Sequence, residues 1–164
     1  MNMFYYFLSL IVVVRLVELF IAKKNEKWLR NRGAIEYGRK HYKYFFLLHT
    51  GFFISLIIEF NLSPFSEINY AALFIFLIVQ IFRLSIFISL GKYWNTRILV
   101  IPGGNLVKKG LYKYLKHPNY FIVVLEFILI PLSYSLFVSM LIFSTLNLIL
   151  LSVRIKTENK ALGY

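Results

Sequence analysis

The alternation of long apolar stretches with short, strongly basic segments is the feature that most limits how this chain can fold. Four apolar stretches cover residues 4–22, 44–60, 70–90 and 120–153. A helix that crosses a bilayer needs about 20 consecutive, mostly apolar residues, so each of the first three stretches predicts one membrane-spanning helix. Hydrophobic residues make up 59% of the chain, a share that excludes an ordinary soluble domain.

The fourth stretch is too long for a single crossing. As one helix it would measure about 50 Å, whereas the hydrocarbon core is about 30 Å thick. Pro131 and the Ser133-Tyr134-Ser135 cluster divide it, so we predict a tight helical hairpin with arms at 119–132 and 135–153. Residues 1–164 are then predicted to form a single all-α integral membrane domain of five helices. Three helices lie in 1–91, and a loop, the hairpin and a tail follow in 92–164.

Most of the lysine and arginine lies in three segments of the chain. These segments are 23–43, 92–116 and 154–160, whereas the connections at 61–69 and 133–135 carry none. Because the positive-inside rule places basic connections in the cytoplasm, we expect the N-terminus outside and the C-terminus and the 92–118 loop inside. This arrangement accounts for the net charge of +12 without nucleic acid as a partner, and anionic lipid of the bilayer would add attraction.

Ionisable side chains also occur inside the predicted helices. They are Arg15, Glu18, Arg83 and Glu126, with Gln80 nearby in sequence. Charges within a bilayer are costly, so they face one another or a cavity. One interpretation is structural pairing of Arg83 with Glu126 or Glu18, and the other is the polar lining of a pocket open to the cytoplasm. The two are compatible.

Other candidate sites are few. Cysteine is absent, which excludes disulfides and thiolate ligands, and the three histidines have no metal-ligand spacing, so no metal site is predicted. His49 is predicted to be a packed, hydrogen-bonded residue. The basic segment 23–43 is predicted to be an amphipathic anchor on the membrane surface.

The loop at 92–118 is long compared with the other connections and is the region with the clearest functional pattern. It contains Pro102-Gly103-Gly104, where glycine lets backbone approach a ligand closely, and Pro118 is predicted in the first turn of the next helix. By composition, its tyrosines and lysines fit either an aromatic belt at the membrane interface or an active site.

The order of residues in this loop is more specific than its composition. The run reads G-N-L-V-K-K-G-L-Y-K-Y-L-K-H-P-N-Y from Gly104, and the predicted hairpin is followed by R-I-K-T-E from Arg154. Two such motifs around a hairpin resemble the isoprenylcysteine carboxyl methyltransferase family over about 92–160. The N-terminal part looks like a bacterial subgroup, some members of which are associated with methylation of alkylpyrones made by type III polyketide synthases.

The resemblance implies a membrane O-methyltransferase, in a bacterial cell membrane, that uses S-adenosylmethionine. By position it places Arg154 at the methyl acceptor, which is a prenylated molecule, an alkylpyrone or another lipophilic compound. The residues that it places at the cofactor are Arg97, Gly104, Asn105, Leu106, Val107, Tyr112, His117, Pro118, Asn119, Tyr120 and Glu158. The alternatives are a binding or scaffold protein that keeps the fold without catalysis, and a small transporter. Transporters usually show internal repeats and broken helices, and neither is visible in this sequence.

The predicted orientation can be tested by labelling in intact cells. A cysteine at Ser66 is expected to react with an impermeant thiol reagent from outside, and a cysteine at Asn105 is expected to be protected until the membrane is opened. The wild-type chain is a clean background because it has no cysteine. The opposite labelling pattern would reverse the orientation.

Overall fold

The computed structural model describes residues 3–63, 67–104 and 106–163 and shows an all-α membrane protein. Ser66 and Asn105 lie outside these described residues. The helices are α1 (Met3–Arg30), α2 (Arg39–Leu62), α3 (Tyr70–Leu90), α4 (Pro118–Leu132) and α5 (Phe137–Leu162). Two short strands, β1 (Ile35–Tyr37) and β2 (Ile98–Val100), pair antiparallel, with Glu36 opposite Leu99.

The five predicted helices and the C-terminal hairpin are confirmed. α1, α2, α3 and α5 are long and apolar enough to cross a bilayer, and α4 is a shorter apolar helix. The 15 residues of α4 would measure about 22 Å, less than the hydrocarbon core. Its last turn contains Pro131, whose carbonyl accepts hydrogen bonds from the N–H groups of Tyr134 and Leu136 and closes the hairpin.

The basic segment after the first apolar stretch differs from the predicted surface anchor. α1 continues without a break to Arg30, and β1 then pairs with β2 before α2 begins at Arg39. Asn25 is only 7% exposed, and its Nδ2 donates to the carbonyl oxygens of Gly91 and Trp94 at 3.2 and 2.8 Å. The segment is therefore packed against the loop that follows α3.

The end of the bundle opposite the basic segments is fixed by aromatic packing and by one carboxylate. Phe4 of α1 stacks on Phe60 of α2 with ring centroids 3.9 Å apart, and Tyr134 of the hairpin turn meets Phe4 edge-on. The carboxylate of Glu59 accepts from the N–H groups of Val138 and Ser139 at 3.0 and 2.7 Å, which caps the start of α5.

Four charged side chains form a closed ring in the interior, which we call the charge ring. Arg15 donates to Glu18 at 2.7 Å and to Glu126 at 2.5 Å. Arg83 donates to both oxygens of Glu18, at 2.6 and 2.7 Å, and to Glu126 at 2.9 Å. The ring joins α1, α3 and α4. The predicted pairing of Arg83 with Glu126 or Glu18 is confirmed, and the structure shows both pairs.

Loss of one member of the charge ring is expected to destabilise the fold. Arg83→Leu leaves two carboxylates short of a partner at a site where the Glu126 side chain is 5% exposed, which should cost about 3–5 kcal/mol of the free energy of unfolding. Thermal unfolding in detergent measures the loss. The control is Gln80→Leu, which removes only a neutral donor to Glu126 and should cost about 1 kcal/mol. An unchanged melting temperature for Arg83→Leu would contradict a structural role for the ring.

Candidate active site

A cavity of about 430 Å³ lies at the basic end of the bundle, with both polar and apolar residues in its wall, and we call it the loop cavity. Most of its wall comes from the segment between α3 and α4, and α5 supplies Arg154, Glu158 and Leu162. These three residues are spaced four apart, so they form one stripe on a helix. The cavity therefore lies between the long loop and one face of α5.

Backbone constraints fix the shape of the loop around this cavity. Gly110 has a φ of +55°, which favours glycine, and a Cβ built there would lie 2.3 Å from Ser89 Oγ, so glycine lets the 3₁₀ turn at Gly110–Lys113 rest on α3 without displacing that side chain. Pro118 is fully buried and starts α4, as the sequence predicts.

A chain of hydrogen bonds connects α5 to the start of α4. Arg154 Nε donates to the Tyr120 hydroxyl at 2.9 Å, and that hydroxyl donates to the Glu158 carboxylate. The Arg154 guanidinium also donates to the Thr96 carbonyl at 2.6 Å. Arg154 is thus held by groups from the loop and from α4, with its planar group fixed in place.

His117 and Tyr112 complete the polar wall. His117 stacks on Tyr120 with ring centroids 5.3 Å apart, and its Nε2 lies 2.8 Å from Asn159 Oδ1. Burial, reinforced by the Glu158 carboxylate, raises the pKa of the Tyr112 hydroxyl above its usual range. Tyr112 is therefore neutral at physiological pH and can donate a hydrogen bond.

Arg97 is held beneath the loop cavity by the two-stranded sheet. Its Nη1 donates to Glu36 at 2.5 Å, its Nε lies 3.3 Å from Glu26, and its guanidinium sits 4.3 Å from the centroid of the Tyr42 ring. Burial alone would raise the pKa of the Glu36 carboxyl, but hydrogen bonds from Arg30 and Arg97 lower it below its usual range. Two carboxylates thus compensate the charge of Arg97.

A second cavity of about 400 Å³ lies between α1 and α2, and we call it the lateral cavity. Its walls are largely apolar and include Leu16 and Phe46, which are 59% and 60% exposed on the sides of their helices. All four members of the charge ring line it, together with His49. The predicted pairing of these charges is therefore present, and the charges also line a cavity, but this cavity lies between two helices rather than under a pocket open to the cytoplasm.

The two cavities have a common wall. It consists of Trp94, Asn95, Asn119, Tyr120 and Arg154. The Oδ1 atom of Asn119 is buried and has no hydrogen-bond partner among the described residues. A buried polar atom without a partner is rare, and here it lies where the loop cavity and the lateral cavity adjoin.

The loop cavity brings together most of the residues predicted to bind a cofactor. They are Arg97, Gly104, Leu106, Val107, Tyr112, His117, Asn119, Tyr120 and Glu158. Arg154, predicted to meet the acceptor, lies on the common wall. Pro118 is buried in α4 and is not a lining residue, and Asn105 lies outside the described residues.

Sequence analysis missed Trp94 and Asn95, although both line the two cavities. Asn95 Nδ2 donates to the Ala22 carbonyl at 3.1 Å, and its Oδ1 accepts from the Arg97 N–H at 2.9 Å. The sequence pattern that could have identified these two residues is a Trp-Asn pair shortly after an apolar helix. Nothing in that spacing indicates that α1 would be long enough to reach it.

His49 has the structural role that the sequence predicts. Its Nδ1–H donates to the Phe45 carbonyl at 2.8 Å, and its ring meets Phe127 edge-on with centroids 5.1 Å apart. Within 3–63, 67–104 and 106–163, no group of three or more histidine, aspartate or glutamate side chains could hold a metal ion.

The fold and the site define a multi-pass membrane protein in which a cavity of mixed lining at the basic end adjoins a largely apolar cavity between helices. The chain belongs to the isoprenylcysteine carboxyl methyltransferase (ICMT) family, whose model matches residues 71–164. The family makes it a membrane protein of the methyltransferase kind. The matched region contains the loop cavity, α4 and α5.

Two similar proteins extend the likeness over the whole chain. The uncharacterized protein YpbQ of Bacillus subtilis is 49% identical over 164 residues, which is 98% of this chain and 96% of that protein. An uncharacterized protein of Haemophilus influenzae is 31% identical over 160 residues, or 94% and 91% of the two chains. No solved structure matches the chain.

The ion pairs around Arg97 predict a loss of stability in acid. Because the pKa of Glu36 is lowered in the folded protein, its contribution is complete above the ordinary value of 4.5 and is lost as pH falls through the folded pKa. Glu36→Gln should therefore lower the stability in detergent by about 1 kcal/mol at neutral pH and by progressively less below pH 4.5.

Thermal unfolding across this pH range measures the effect of Glu36→Gln. Glu67→Gln is the control, because Glu67 is an exposed carboxylate in the connection between α2 and α3. A stability difference for Glu36→Gln that is the same at every pH would contradict the ion-pair explanation.

Proposed function

We propose that this protein is an S-adenosylmethionine-dependent O-methyltransferase that acts on a lipophilic acceptor within the membrane. The observation that carries the proposal is the common wall between the loop cavity and the lateral cavity, which includes Arg154 and Tyr120. A methyl donor on the polar side and an acceptor on the apolar side would meet at this wall. Family membership supports the same reaction class.

The residues of the loop cavity fit the proposed cofactor. Its volume of about 430 Å³ lies in the range of small-molecule sites. Glu158 is a carboxylate that can accept from a ribose or an ammonium group, and Tyr112 and Tyr120 offer aromatic faces to an adenine or a cation. The unpartnered Oδ1 of Asn119 supplies a further hydrogen-bond acceptor on the wall. When bound, S-adenosylmethionine supplies an electrophilic methyl group on its sulfonium.

The lateral cavity suits the acceptor. Its walls are mostly apolar, and exposed apolar side chains of α1 and α2 at its mouth would face lipid. A lipophilic molecule could enter from the bilayer between these helices without crossing water. We propose that the acceptor oxygen reaches Arg154 by this route, whereas the cofactor enters from the basic end.

Arg154 binds and orients the acceptor in this mechanism. A carboxylate or enolate oxygen is already a nucleophile, so the reaction needs no strong general base. The guanidinium has N–H groups beyond those given to Tyr120 and Thr96, and it can hold an anionic oxygen by charge-assisted hydrogen bonds. Its neighbours fix its plane, which keeps the oxygen aligned for in-line attack.

The surrounding helices exclude water from the point of transfer. Trp94 is 5% exposed and Tyr120 is 9% exposed, so the common wall is shielded from solvent. Exclusion of water strengthens the electrostatic contacts of Arg154 and prevents hydrolysis of the donor. The charges at the basic end further support a cytoplasmic location for the loop cavity, in a bacterial cell membrane with the N-terminus outside.

The roles of two residues on α5 can be separated by measuring cofactor binding and methyl transfer. Glu158→Gln keeps the shape of the side chain but removes its charge, so S-adenosylhomocysteine should bind about ten- to a hundredfold more weakly. Arg154→Leu should bind S-adenosylhomocysteine nearly as wild type but should not transfer methyl groups. Calorimetry in detergent measures binding, and mass spectrometry of lipid extracts incubated with methyl-labelled cofactor measures transfer.

A matched control is available on the same helix. Lys156 is exposed and is not on the wall of the loop cavity, so Lys156→Leu should change neither quantity. If Arg154→Leu abolishes binding and Glu158→Gln does not, the two assignments are reversed. If wild-type protein neither binds S-adenosylhomocysteine nor labels any lipid, the proposed function is wrong and a non-catalytic binding protein is the better explanation.

A further inference from the structure

We propose that the deep end of the lateral cavity is a second binding site for the acceptor, at which the charge ring donates hydrogen bonds to a neutral oxygen. This oxygen would lie about 9 Å from the one that is methylated. The inference rests on the proposed function and adds to it the class of acceptor. The acceptor would be a lipophilic molecule with two separated oxygen functions.

The distance follows from the positions of polar groups along the cavity. Tyr120 marks the common wall, and Glu126 of the charge ring lies six residues further along α4, which corresponds to about 9 Å at the helical rise. On α2, Tyr42 and His49 line the cavity seven residues apart, a similar span. The cavity therefore has two polar ends separated by apolar walls.

The charge ring has hydrogen-bond donors left over. A guanidinium carries five N–H groups. Among the described residues, Arg15 donates two hydrogen bonds and Arg83 donates three, all to Glu18 and Glu126. Both arginines line the lateral cavity, so N–H groups remain for a molecule bound there. Donors that lack a partner in an apolar cavity favour an oxygen acceptor.

The charge balance selects a neutral oxygen over a second anion. The two arginines and two glutamates of the ring have no net formal charge, and each carboxylate already accepts from both guanidinium groups. A second carboxylate would meet Glu18 and Glu126 at close range and would be repelled. A hydroxyl or a carbonyl oxygen can accept a hydrogen bond from the arginines and, being neutral, is not repelled by the two carboxylates. A hydrocarbon tail without an oxygen would leave the N–H donors of the arginines unpaired, which disfavours its binding next to the charge ring.

Three fatty acids serve as probes for the second site. They are hexadecanoic acid, its analogue with a hydroxyl on the eighth carbon, and its analogue with a hydroxyl on the terminal carbon. The mid-chain hydroxyl can reach the charge ring when the carboxylate is at Arg154, whereas the terminal hydroxyl lies beyond it. Calorimetry with S-adenosylhomocysteine-loaded protein in detergent should show the mid-chain analogue binding about tenfold more tightly than the other two acids.

Two variants test whether the cavity-facing donors of the charge ring cause this preference for the mid-chain analogue. Arg15→Lys keeps the positive charge between Glu18 and Glu126 but has fewer N–H groups, so the preference for the mid-chain analogue over hexadecanoic acid should fall about threefold or more. Gln80→Met is the matched control. It removes another donor to Glu126, at 2.9 Å, but Gln80 does not line the lateral cavity, so the preference should remain.

The outcomes distinguish this inference from the proposed function. Equal affinity for the three acids, or loss of the preference in Gln80→Met as well as in Arg15→Lys, would overturn the second site. If none of the acids binds but wild-type protein still methylates a lipid extract, the second site is wrong and the proposed function stands. If the extract is not methylated and S-adenosylhomocysteine does not bind, the proposed function and the second site are both wrong.

Discussion

The charge ring is the interaction on which the arrangement of the helices most depends. Between helices in a bilayer there is no hydrophobic driving force, because lipid is as apolar as the side chains that it would replace. Many apolar residues of α1, such as Leu10, Leu16 and Phe20, are exposed on the surface of the bundle, so apolar packing alone does little to fix the position of this helix. The need to pair four charges fixes the position of α1. Moving α1 by a single residue would separate Arg15 and Glu18 from their partners on α3 and α4.

The same ring connects the position of α1 to the formation of a binding cavity. α1 is held at three levels: by Phe4 against Phe60, by the charge ring, and by Asn25 against the loop after α3. α2 packs chiefly against α5, on another side of the bundle. The space left between α1 and α2 is the lateral cavity, and its deep end is lined by the charges that place α1. A change in the ring would therefore alter both stability and the shape of the lateral cavity.

The helices and the main charge pairs could be predicted from the sequence, whereas the smaller contacts could not. A bilayer leaves few options for an apolar stretch or for an arginine within it, so the hairpin and the pairing of Arg83 follow from simple rules. The strands β1 and β2 have only three residues each and no periodicity of their own. Their pairing depends on how far α1 extends, as does the contact of Asn95 with Ala22. Hydropathy indicates where a helix leaves the membrane but not where it ends.

The unequal lengths of α4 and α5 explain why the candidate site lies at the basic end. The hairpin turn fixes the two helices together at one end, and α5 has 26 residues against 15 in α4. The excess would extend about 16 Å past the start of α4, beyond what its partner can cover. This extension carries Arg154, Glu158 and Leu162 on one face, and the long loop folds against that face to enclose the loop cavity. A short fourth helix thus exposes a stripe of α5 that a longer one would have buried, and it brings the charged residues of that stripe to the edge of the membrane, where a water-soluble molecule and a lipophilic one can meet.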